Sequence, residues 1–288
     1  MTTVCVFGGT GFLGRRLVQR LGADGATLRI AVRSPSSDLS AVRADVRDRQ
    51  SVAAALAGAD AVVNAVSAYV EKRDVTFESV HVHGARTLAE EAARAGVARL
   101  VLVSGIGADA QSRFPYIRAR GRGELAVREA FPDATIVRPS AMFGPGDALF
   151  AGLADLVRIL PAIPLIGGGR TRLQPVYVED VADAIARILA RPDTAGQTYE
   201  LAGPYTYTLR ELIGLALRLM HKRRPLMPLP FPLADIQARL FELLPNPPLT
   251  TAQVDLLRSD NLASGSLPGL RDLDITPKAV EDIVPTYI

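Results

Sequence analysis

The first fourteen residues constrain the fold of this chain more than any other segment. A short apolar run, Val4–Phe7, is followed by a glycine-rich turn and then by a helical pattern. Each glycine has its own use: Gly8 permits a tight turn, Gly11 lets the backbone approach a bound group, and Gly14 lets the helix pack on the strand. Unpaired amides at the start of a helix attract phosphate groups. This strand–turn–helix order predicts a dinucleotide site.

The first two-thirds of the chain alternate β-branched apolar runs with helical patterns, which is typical of a doubly wound parallel sheet. After His221 the pattern changes, because prolines cluster between Pro225 and Pro248 and interrupt regular helices. We therefore predict an α/β, Rossmann-type nucleotide-binding domain over residues 1–220 and a smaller C-terminal lobe or docking arm over residues 221–288. The predicted strands are Thr3–Phe7, Leu28–Val32, Ala61–Ala65, Leu100–Ser104, Ala134–Arg138, Pro175–Val178 and Thr198–Leu201, and the predicted helices are Gly11–Leu21, Ser51–Leu56, Phe77–Ala95, Tyr116–Ala130, Leu149–Leu160, Glu179–Ala190, Leu209–His221 and Leu233–Leu244.

The end of the second predicted strand bears on which dinucleotide is bound. An acidic residue about 20 positions after the glycines would bind the ribose 2′-hydroxyl of NAD(H). This chain has Arg33 at that place, followed by Ser34. The planar guanidinium of an arginine matches a phosphate group, and a serine hydroxyl can add a hydrogen bond. We predict NADP(H) as the cofactor, with NAD(H) second; alternatively, Arg33 only ends a strand on a basic surface.

The composition argues against several classes of protein. The single cysteine, Cys5, rules out an internal disulfide, fits a reducing compartment and is expected to fill the core. No apolar run reaches the roughly 18 residues of a membrane span, and strand-like sequence from Thr3 onward leaves no room for a leader. The basic cluster His221–Arg224 lacks interleaved aromatic residues, so nucleic acid is not an expected partner. His81 and His83 are two apart on a predicted helix and face different ways, so no metal site is expected.

Several motifs together resemble the atypical, extended branch of the short-chain dehydrogenase/reductase superfamily. The turn Gly8–Gly14 is similar to the cofactor turn of that family, and Arg138–Gly144, Val176–Ala182 and Tyr199–Gly203 resemble its later segments. The resemblance covers almost the whole chain. It implies a set of cofactor-binding residues: Gly8, Thr10, Gly11, Phe12, Leu13 and Gly14 in the turn, Arg33 and Ser34 at the 2′-phosphate, Asp45 and Val46 beside the adenine, Ala65 and Val66 along the cofactor, Pro139 beside the nicotinamide, and Tyr116 and Arg120 at its ribose.

The same resemblance implies an active site with one altered residue. Members of the superfamily use a serine to orient a carbonyl, a tyrosine as general acid/base, and a lysine four residues later that lowers the pKa of the tyrosine. Ser104 and Tyr116 stand at the expected places, but the third position holds Arg120. Arginine is bulkier than lysine and does not release its proton, so we expect retained binding and weak or absent turnover. A general preference for arginine is the competing explanation, because Lys72, Lys222 and Lys278 are the only lysines.

The last third of the chain resembles a narrower group. The segments Phe241–Thr250 and Leu257–Asn261 are similar to the dehydrogenase-like accessory subunits of respiratory complex I and their bacterial relatives. This resemblance implies a peripheral subunit that holds NADPH at the cytoplasmic or matrix face of the membrane, with other complex I subunits as partners. The C-terminal arm could contact the membrane surface, a partner, or only its own domain.

Three functions follow from these observations. The leading hypothesis is an NADP(H)-binding structural or assembly subunit of complex I on the cytoplasmic side of the inner membrane. The second is an NADP-dependent reductase or isomerase of a hydrophobic carbonyl compound in the cytoplasm, with Ser104, Tyr116 and Arg120 as its catalytic residues. The third is a regulator that senses NADPH.

Overall fold

The computed structural model describes residues 2–34, 40–245 and 247–288, and a seven-stranded parallel sheet lies at its centre. The strands are β1 (Thr3–Phe7), β2 (Thr27–Val32), β3 (Ala41–Arg43), β4 (Ala61–Asn64), β5 (Arg99–Val103), β6 (Thr135–Pro139), β7 (Met142–Phe143), β8 (Ile163–Ile166), β9 (Arg172–Leu173), β10 (Val176–Tyr177), β11 (Thr198–Leu201), β12 (Tyr207–Thr208) and β13 (Leu226–Leu229). The α-helices are α1 (Phe12–Ala23), α2 (Arg49–Leu56), α3 (Ala85–Arg94), α4 (Pro115–Ala130), α5 (Phe150–Ile159), α6 (Val178–Ala190), α7 (Leu209–Leu219), α8 (Phe231–Phe241), α9 (Thr251–Leu256) and α10 (Val280–Ile283).

The order of strands in the central sheet is β11-β6-β5-β4-β1-β2-β3, and all of them run parallel. This is the doubly wound, Rossmann-type arrangement that the sequence predicts. The central strands are buried because helices pack on the sheet, which explains their continuous apolar sequences. Cys5 is fully buried in this core beside Phe7 and Val62, so its predicted role as a core residue is confirmed.

Helix α1 follows the glycine turn and shows why this segment is helical. Gly11 has extended backbone angles and precedes the first helical residue. Leu13, Leu17 and Leu21 recur every fourth residue and form the buried side of the helix. Their burial holds the N-terminus of α1 at the end of β1.

One predicted helix is not continuous. The segment predicted as Phe77–Ala95 consists of a π-helix, Glu78–Gly84, followed by α3. A π-helical turn contains an extra residue, and the apolar periodicity of a sequence does not reveal it. The wider turn directs Val80, His81 and Val82 into the interior.

The helix predicted at Leu233–Leu244 is α8, and it begins two residues earlier. Proline fits the first turn of a helix, so Pro232 does not prevent its start. Ala234 and Ala238 form the buried side of α8, whereas Ile236 and Leu240 are exposed. The spacing of the large apolar residues therefore predicted the helix correctly. It did not show that these residues would face solvent.

The chain forms two compact units made of interleaved segments. The first comprises the chain up to Pro139 together with Glu179–Leu201 and Gly265–Ile275; the second comprises Ser140–Val178, Ala202–Ser264 and Thr276–Ile288. The sequence prediction placed one boundary at residue 220. The division differs because the chain returns to the first unit twice, once as β11, which pairs with β6, and once as the segment whose Pro268 accepts a hydrogen bond from Glu200.

The second unit has short strand pairs around its own core. Strands β7 and β10 pair, as do β8 and β13 and the antiparallel strands β9 and β12. Near the C-terminus, the Tyr287 hydroxyl donates to Asp147 Oδ2 at 2.6 Å. Within the described parts of the chain, no helix is long and apolar enough to cross a membrane.

Candidate functional site

The carboxyl end of the central sheet has a break in its winding order. Strand β1 pairs with β2 on one side and with β4 on the other, so the connections leave β1 in opposite directions. A crevice at this position is the usual ligand site of open parallel sheets. Most of the predicted cofactor residues follow the carboxyl ends of β1, β2, β3 and β4, and Pro139 is the last residue of β6. The predicted catalytic serine follows β5.

The glycine turn between β1 and α1 leaves no room for side chains at two positions. Gly8 has φ +82°, and a Cβ there would lie 2.7 Å from the Ala65 carbonyl oxygen. A Cβ on Gly14 would lie 2.0 Å from the Gly8 carbonyl oxygen. At Gly11 the nearest atom to an added Cβ is the Gly8 oxygen at 3.2 Å, so this position is less crowded. The geometry agrees with separate uses for the three glycines.

The other turn residues differ in exposure. Thr10 is exposed, and its carbonyl accepts a hydrogen bond from Arg15 Nη1 at 2.7 Å. Phe12 is half-buried and Leu13 is buried under the turn. Because the turn presents backbone at the N-terminus of α1, it fits the pyrophosphate of a dinucleotide.

The predicted adenine end of the site lies after β2 and β3. Arg33 and Ser34 are exposed, and Ser34 is the last described residue before position 40. The Asp45 carboxylate accepts hydrogen bonds from Arg47, with Nη2 at 2.7 Å. This guanidinium lowers the pKa of Asp45, and the charge of Arg33 adds to the effect. Val46 is buried, so it contributes an apolar surface rather than a polar contact.

The segment after β4 continues along β1. The Ala65 amide donates to the Phe7 carbonyl at 2.9 Å, and the Val66 amide donates to Asn64 Oδ1 at 3.2 Å. At the end of β6, the Pro139 carbonyl accepts a hydrogen bond from the Ile106 amide at 3.1 Å. These hydrogen bonds fix the backbone at Ala65, Val66 and Pro139, which are predicted to contact the cofactor.

The three predicted catalytic residues lie close together. Ser104 follows β5 and is buried, and among the described residues its Oγ is the one buried side-chain polar atom without a hydrogen-bond partner. Arg120 Nη2 donates to the carbonyl of Ser104, and its guanidinium carbon is 5.6 Å from the centroid of the Tyr116 ring. The Ser104 side chain lines a pocket with Asn64, His81 and Arg120. A buried hydroxyl without a partner is costly, so it indicates a ligand position.

Tyr116 is held inside a group of aromatic rings. Its ring stacks on Tyr69 with centroids 5.2 Å apart and meets Phe77 and His81 edge-on at 5.4 and 5.5 Å. Burial raises the pKa of Tyr116 above its ordinary value, and the positive charge of Arg120 opposes this effect only in part. The phenol is therefore protonated at neutral pH.

His81 also lines this pocket, although no sequence motif assigns it to the site. Its Nε2 is 3.1 Å from the Ala68 carbonyl oxygen, so the neutral ring holds the segment after β4 against Tyr116. Burial and the charge of Arg120 lower the pKa of His81 to about 3. His83 is exposed, as expected from the spacing, and the described residues contain no group of His, Cys, Asp or Glu suited to a metal ion. Tyr69 lies in an irregular segment and His81 lies in a π-helical turn, so no periodic sequence pattern marks either residue as part of the site.

Comparison with known proteins connects this geometry to a family. Residues 4–202 match the NAD dependent epimerase/dehydratase family. The chain belongs to this family. The crystal structure of DesIV, a dTDP-glucose 4,6-dehydratase from Streptomyces venezuelae with NAD bound, covers 99% of this chain and 95% of its own with a TM-score of 0.74 and 22% identity. This likeness shows the shared fold.

Relatives of this epimerase/dehydratase-family chain include respiratory proteins and a reductase. Subunit 9 of the NADH dehydrogenase [ubiquinone] 1 alpha subcomplex from Rattus norvegicus is 36% identical over 96% of this chain and 77% of its own length. The 40 kDa subunit of NADH-ubiquinone oxidoreductase from Neurospora crassa is 33% identical over 99% and 78%. A ceramide reductase from Caulobacter vibrioides is 33% identical over 80% and 74%. Homologues of this chain thus include complex I subunits, as the sequence resemblance implies.

Proposed function

We propose that this chain is an accessory subunit of a respiratory NADH dehydrogenase that holds NADP(H) and has no efficient turnover of its own. The observation that carries the proposal is similarity at 33–36% identity to complex I subunits over nearly the whole chain. The similarity extends past residue 202, where the family match ends. Its partners are other complex I subunits, at the cytoplasmic side of the inner membrane.

The residues present fit a dinucleotide. The backbone is closely packed at Gly8 and Gly14, where a side chain would not fit. This packing holds the N-terminus of α1 at the turn, where its amides can bind the pyrophosphate. Exposed Arg33 and Ser34 suit a 2′-phosphate, so we favour NADP(H) over NAD(H). The remaining contacts that we assign to the nucleotide come from Thr10, Gly11, Phe12 and Leu13 in the turn, from Asp45, Val46, Ala65, Val66 and Pro139, and from Tyr116 and Arg120.

The arrangement around Tyr116 argues against efficient catalysis. A bound nicotinamide supplies hydride transfer, and a proton must be exchanged with the substrate at the same time. Burial raises the pKa of Tyr116, which disfavours loss of its proton. Arg120 already donates to the Ser104 carbonyl, and a guanidinium does not act as a proton donor near neutral pH. Bound nucleotide would then stabilise the native fold by mass action.

A second candidate function is an NADP-dependent reductase of a hydrophobic carbonyl compound. The relative from Caulobacter vibrioides is named a ceramide reductase, and the Ser104 hydroxyl is available to a ligand. In this case Ser104 would orient the carbonyl and Tyr116 would donate the proton. Such a protein could be soluble in the cytoplasm rather than attached to a membrane complex.

One experiment separates the two candidates. Gently solubilised membranes and cytosol from the source organism are separated under native conditions, and this chain is located by immunoblotting. Co-migration with NADH:quinone oxidoreductase activity supports the accessory subunit. Migration as a small separate species contradicts it, and hydrophobic ketones are then screened with NADPH. Turnover that is lost in Tyr116→Phe would establish the reductase.

A further inference from the structure

The outer side of α8 is an apolar surface that no described residue covers. It consists of Leu233, Ile236 and Leu240 on the helix and of Leu243 and Leu244 just after it, and we call it the α8 surface. The exposed fractions of these residues are 55, 57, 61, 82 and 48%. Residues 233, 236 and 240 lie three and four positions apart and therefore share one face of the helix. Contiguous exposed apolar residues of this kind mark an interaction site.

The opposite side of α8 shows that this exposure is a property of the fold. Ala234 and Ala238 are fully buried and pack in a small core with Ile166 and Val254. Helices of globular proteins normally bury their large apolar residues and expose their small or polar ones. The α8 helix does the reverse, because its small residues permit close packing while its large aliphatic residues remain outside.

Charges near the α8 surface are arranged asymmetrically. The Asp235 carboxylate is bound by Arg258 Nη2 at 2.6 Å, and Glu242 Oε1 accepts hydrogen bonds from the Thr251 amide and hydroxyl, both at 2.8 Å. The two acidic residues of this segment are thus engaged by the protein. Arg239 on α8 is exposed. The segment consequently presents one basic side chain, that of Arg239, and several apolar side chains to its surroundings.

Further basic residues precede this helix in the chain. Lys222 and Arg223 are exposed in the segment between α7 and β13. They lie in the same compact unit as α8. Clusters of lysine and arginine beside an amphipathic helix are attracted to anionic lipid headgroups.

We propose that the α8 surface docks on the headgroup region of an anionic phospholipid bilayer, with the helix lying in the membrane plane. The five side chains are flexible aliphatic groups without aromatic rings or hydrogen-bonding groups, whereas protein interfaces concentrate their energy in aromatic and arginine residues. Aliphatic side chains accompanied by exposed basic residues of the same compact unit are what an acidic lipid surface selects. The proposal rests on one part of the proposed function, the location of the chain at the cytoplasmic side of the inner membrane. It adds the surface that contacts the membrane and the lipid that this surface binds.

Vesicle flotation of the purified full chain tests the proposal. The vesicles are phosphatidylcholine alone or phosphatidylcholine mixed with phosphatidylglycerol. We expect binding to the anionic vesicles that weakens with added salt. Leu240→Ser should lower the partition coefficient about tenfold, because an apolar side chain no longer enters the membrane. Leu125→Ser is the matched control, since Leu125 is also on a helix and is 62% exposed, against 61% for Leu240.

Replacing the basic residues tests the charge part separately. Lys222→Gln and Arg223→Gln should each lower binding to anionic vesicles about fivefold. Thermal unfolding of every variant checks that the fold is intact. We expect wild-type midpoints, because all of these positions are exposed.

Several results would overturn the inference. Absence of flotation by the folded wild-type chain contradicts it, and so does equal binding to neutral and anionic vesicles. A concentration-dependent dimer lost in Leu240→Ser would assign the α8 surface to a second copy, and loss of association with purified NADH dehydrogenase without lipid binding would assign it to a protein subunit. A chain that co-migrates with the respiratory enzyme but does not float refutes this inference alone. A chain that floats but does not co-migrate refutes the proposed function alone.

Discussion

Gly14→Ala tests the glycine turn at the position where the structure leaves the least room. A Cβ at this position would lie 2.0 Å from the Gly8 carbonyl oxygen and 2.7 Å from the Gly9 Cα. Real Cβ atoms essentially never come within 3.0 Å of such atoms, so α1 would have to move away from the turn by about 1 Å. Both neighbours are backbone atoms, so a side-chain rotation cannot relieve the clash.

The size of the effect follows from two opposing contributions. Overpacking in a close-packed region costs about 1–3 kcal/mol, and more where the backbone must move. Alanine is favoured over glycine within a helix by about 1 kcal/mol. We expect a net loss of about 2 kcal/mol in the free energy of unfolding. For a chain of 288 residues, this corresponds to a fall in the midpoint of thermal unfolding of about 3 °C.

Thermal unfolding with and without NADPH measures both consequences. At a concentration 100 times its Kd, NADPH should stabilise the wild-type chain by about 2.7 kcal/mol. This stabilisation should be lost in Gly14→Ala, because the displaced helix no longer presents its amides to the pyrophosphate. Gly22→Ala is the control in the same helix, where the nearest atom to the new Cβ is 3.5 Å away. A Gly14→Ala chain with a wild-type midpoint and a wild-type response to NADPH would show that neither packing nor nucleotide binding at this turn needs a glycine at position 14.

Three further predictions concern single side chains. Arg33→Ala should weaken NADPH binding by about 10–100-fold and leave NADH binding unchanged in calorimetry, because a charged hydrogen bond to the 2′-phosphate is lost; equal loss for both nucleotides would contradict this assignment. The lowered pKa of His81, about 3, means that the unfolded chain takes up a proton below pH 6.5 while the native chain does not. Between pH 6.5 and about 3, His81 should thus reduce stability by about 1.4 kcal/mol for each pH unit; a His81→Gln variant with the same dependence of unfolding on pH would exclude that origin. Burial raises the pKa of the Cys5 thiol to about 12, so at pH 8 a thiol reagent should react only after denaturation; rapid reaction of the native chain would show that Cys5 is accessible.

The sequence was sufficient for most elements of the sheet and for the turn. The predicted strand Thr198–Leu201 has the observed bounds, and Thr3–Phe7 does as well. Short strands outside the sheet, such as β8 and β13, were not predicted. Two to four residues of regular structure leave too little periodicity, and the pairing of Ile163 with Leu226 joins segments far apart in the chain.

The candidate site was only partly visible in the sequence. Ser104, Tyr116 and Arg120 were predicted from the family resemblance, and the structure brings them together. Their assignment as catalytic residues remains a prediction. The aromatic surroundings of Tyr116 depend on Tyr69 in an irregular segment and on His81 in a π-helical turn, and neither feature follows from periodicity.

Local sequence patterns were enough to assign most strands of the central sheet, its helices and the position of the glycine turn. These are set by local spacing: a run of apolar residues for a buried strand, a four-residue repeat for α1, and glycines where a side chain would collide with backbone. Which surfaces are buried was set by the tertiary structure. It turned the alanines of α8 inward and left Leu240 outside, and it enclosed the Ser104 hydroxyl without a partner. Burial depends on what packs against a segment from elsewhere in the chain, so local spacing could not specify it.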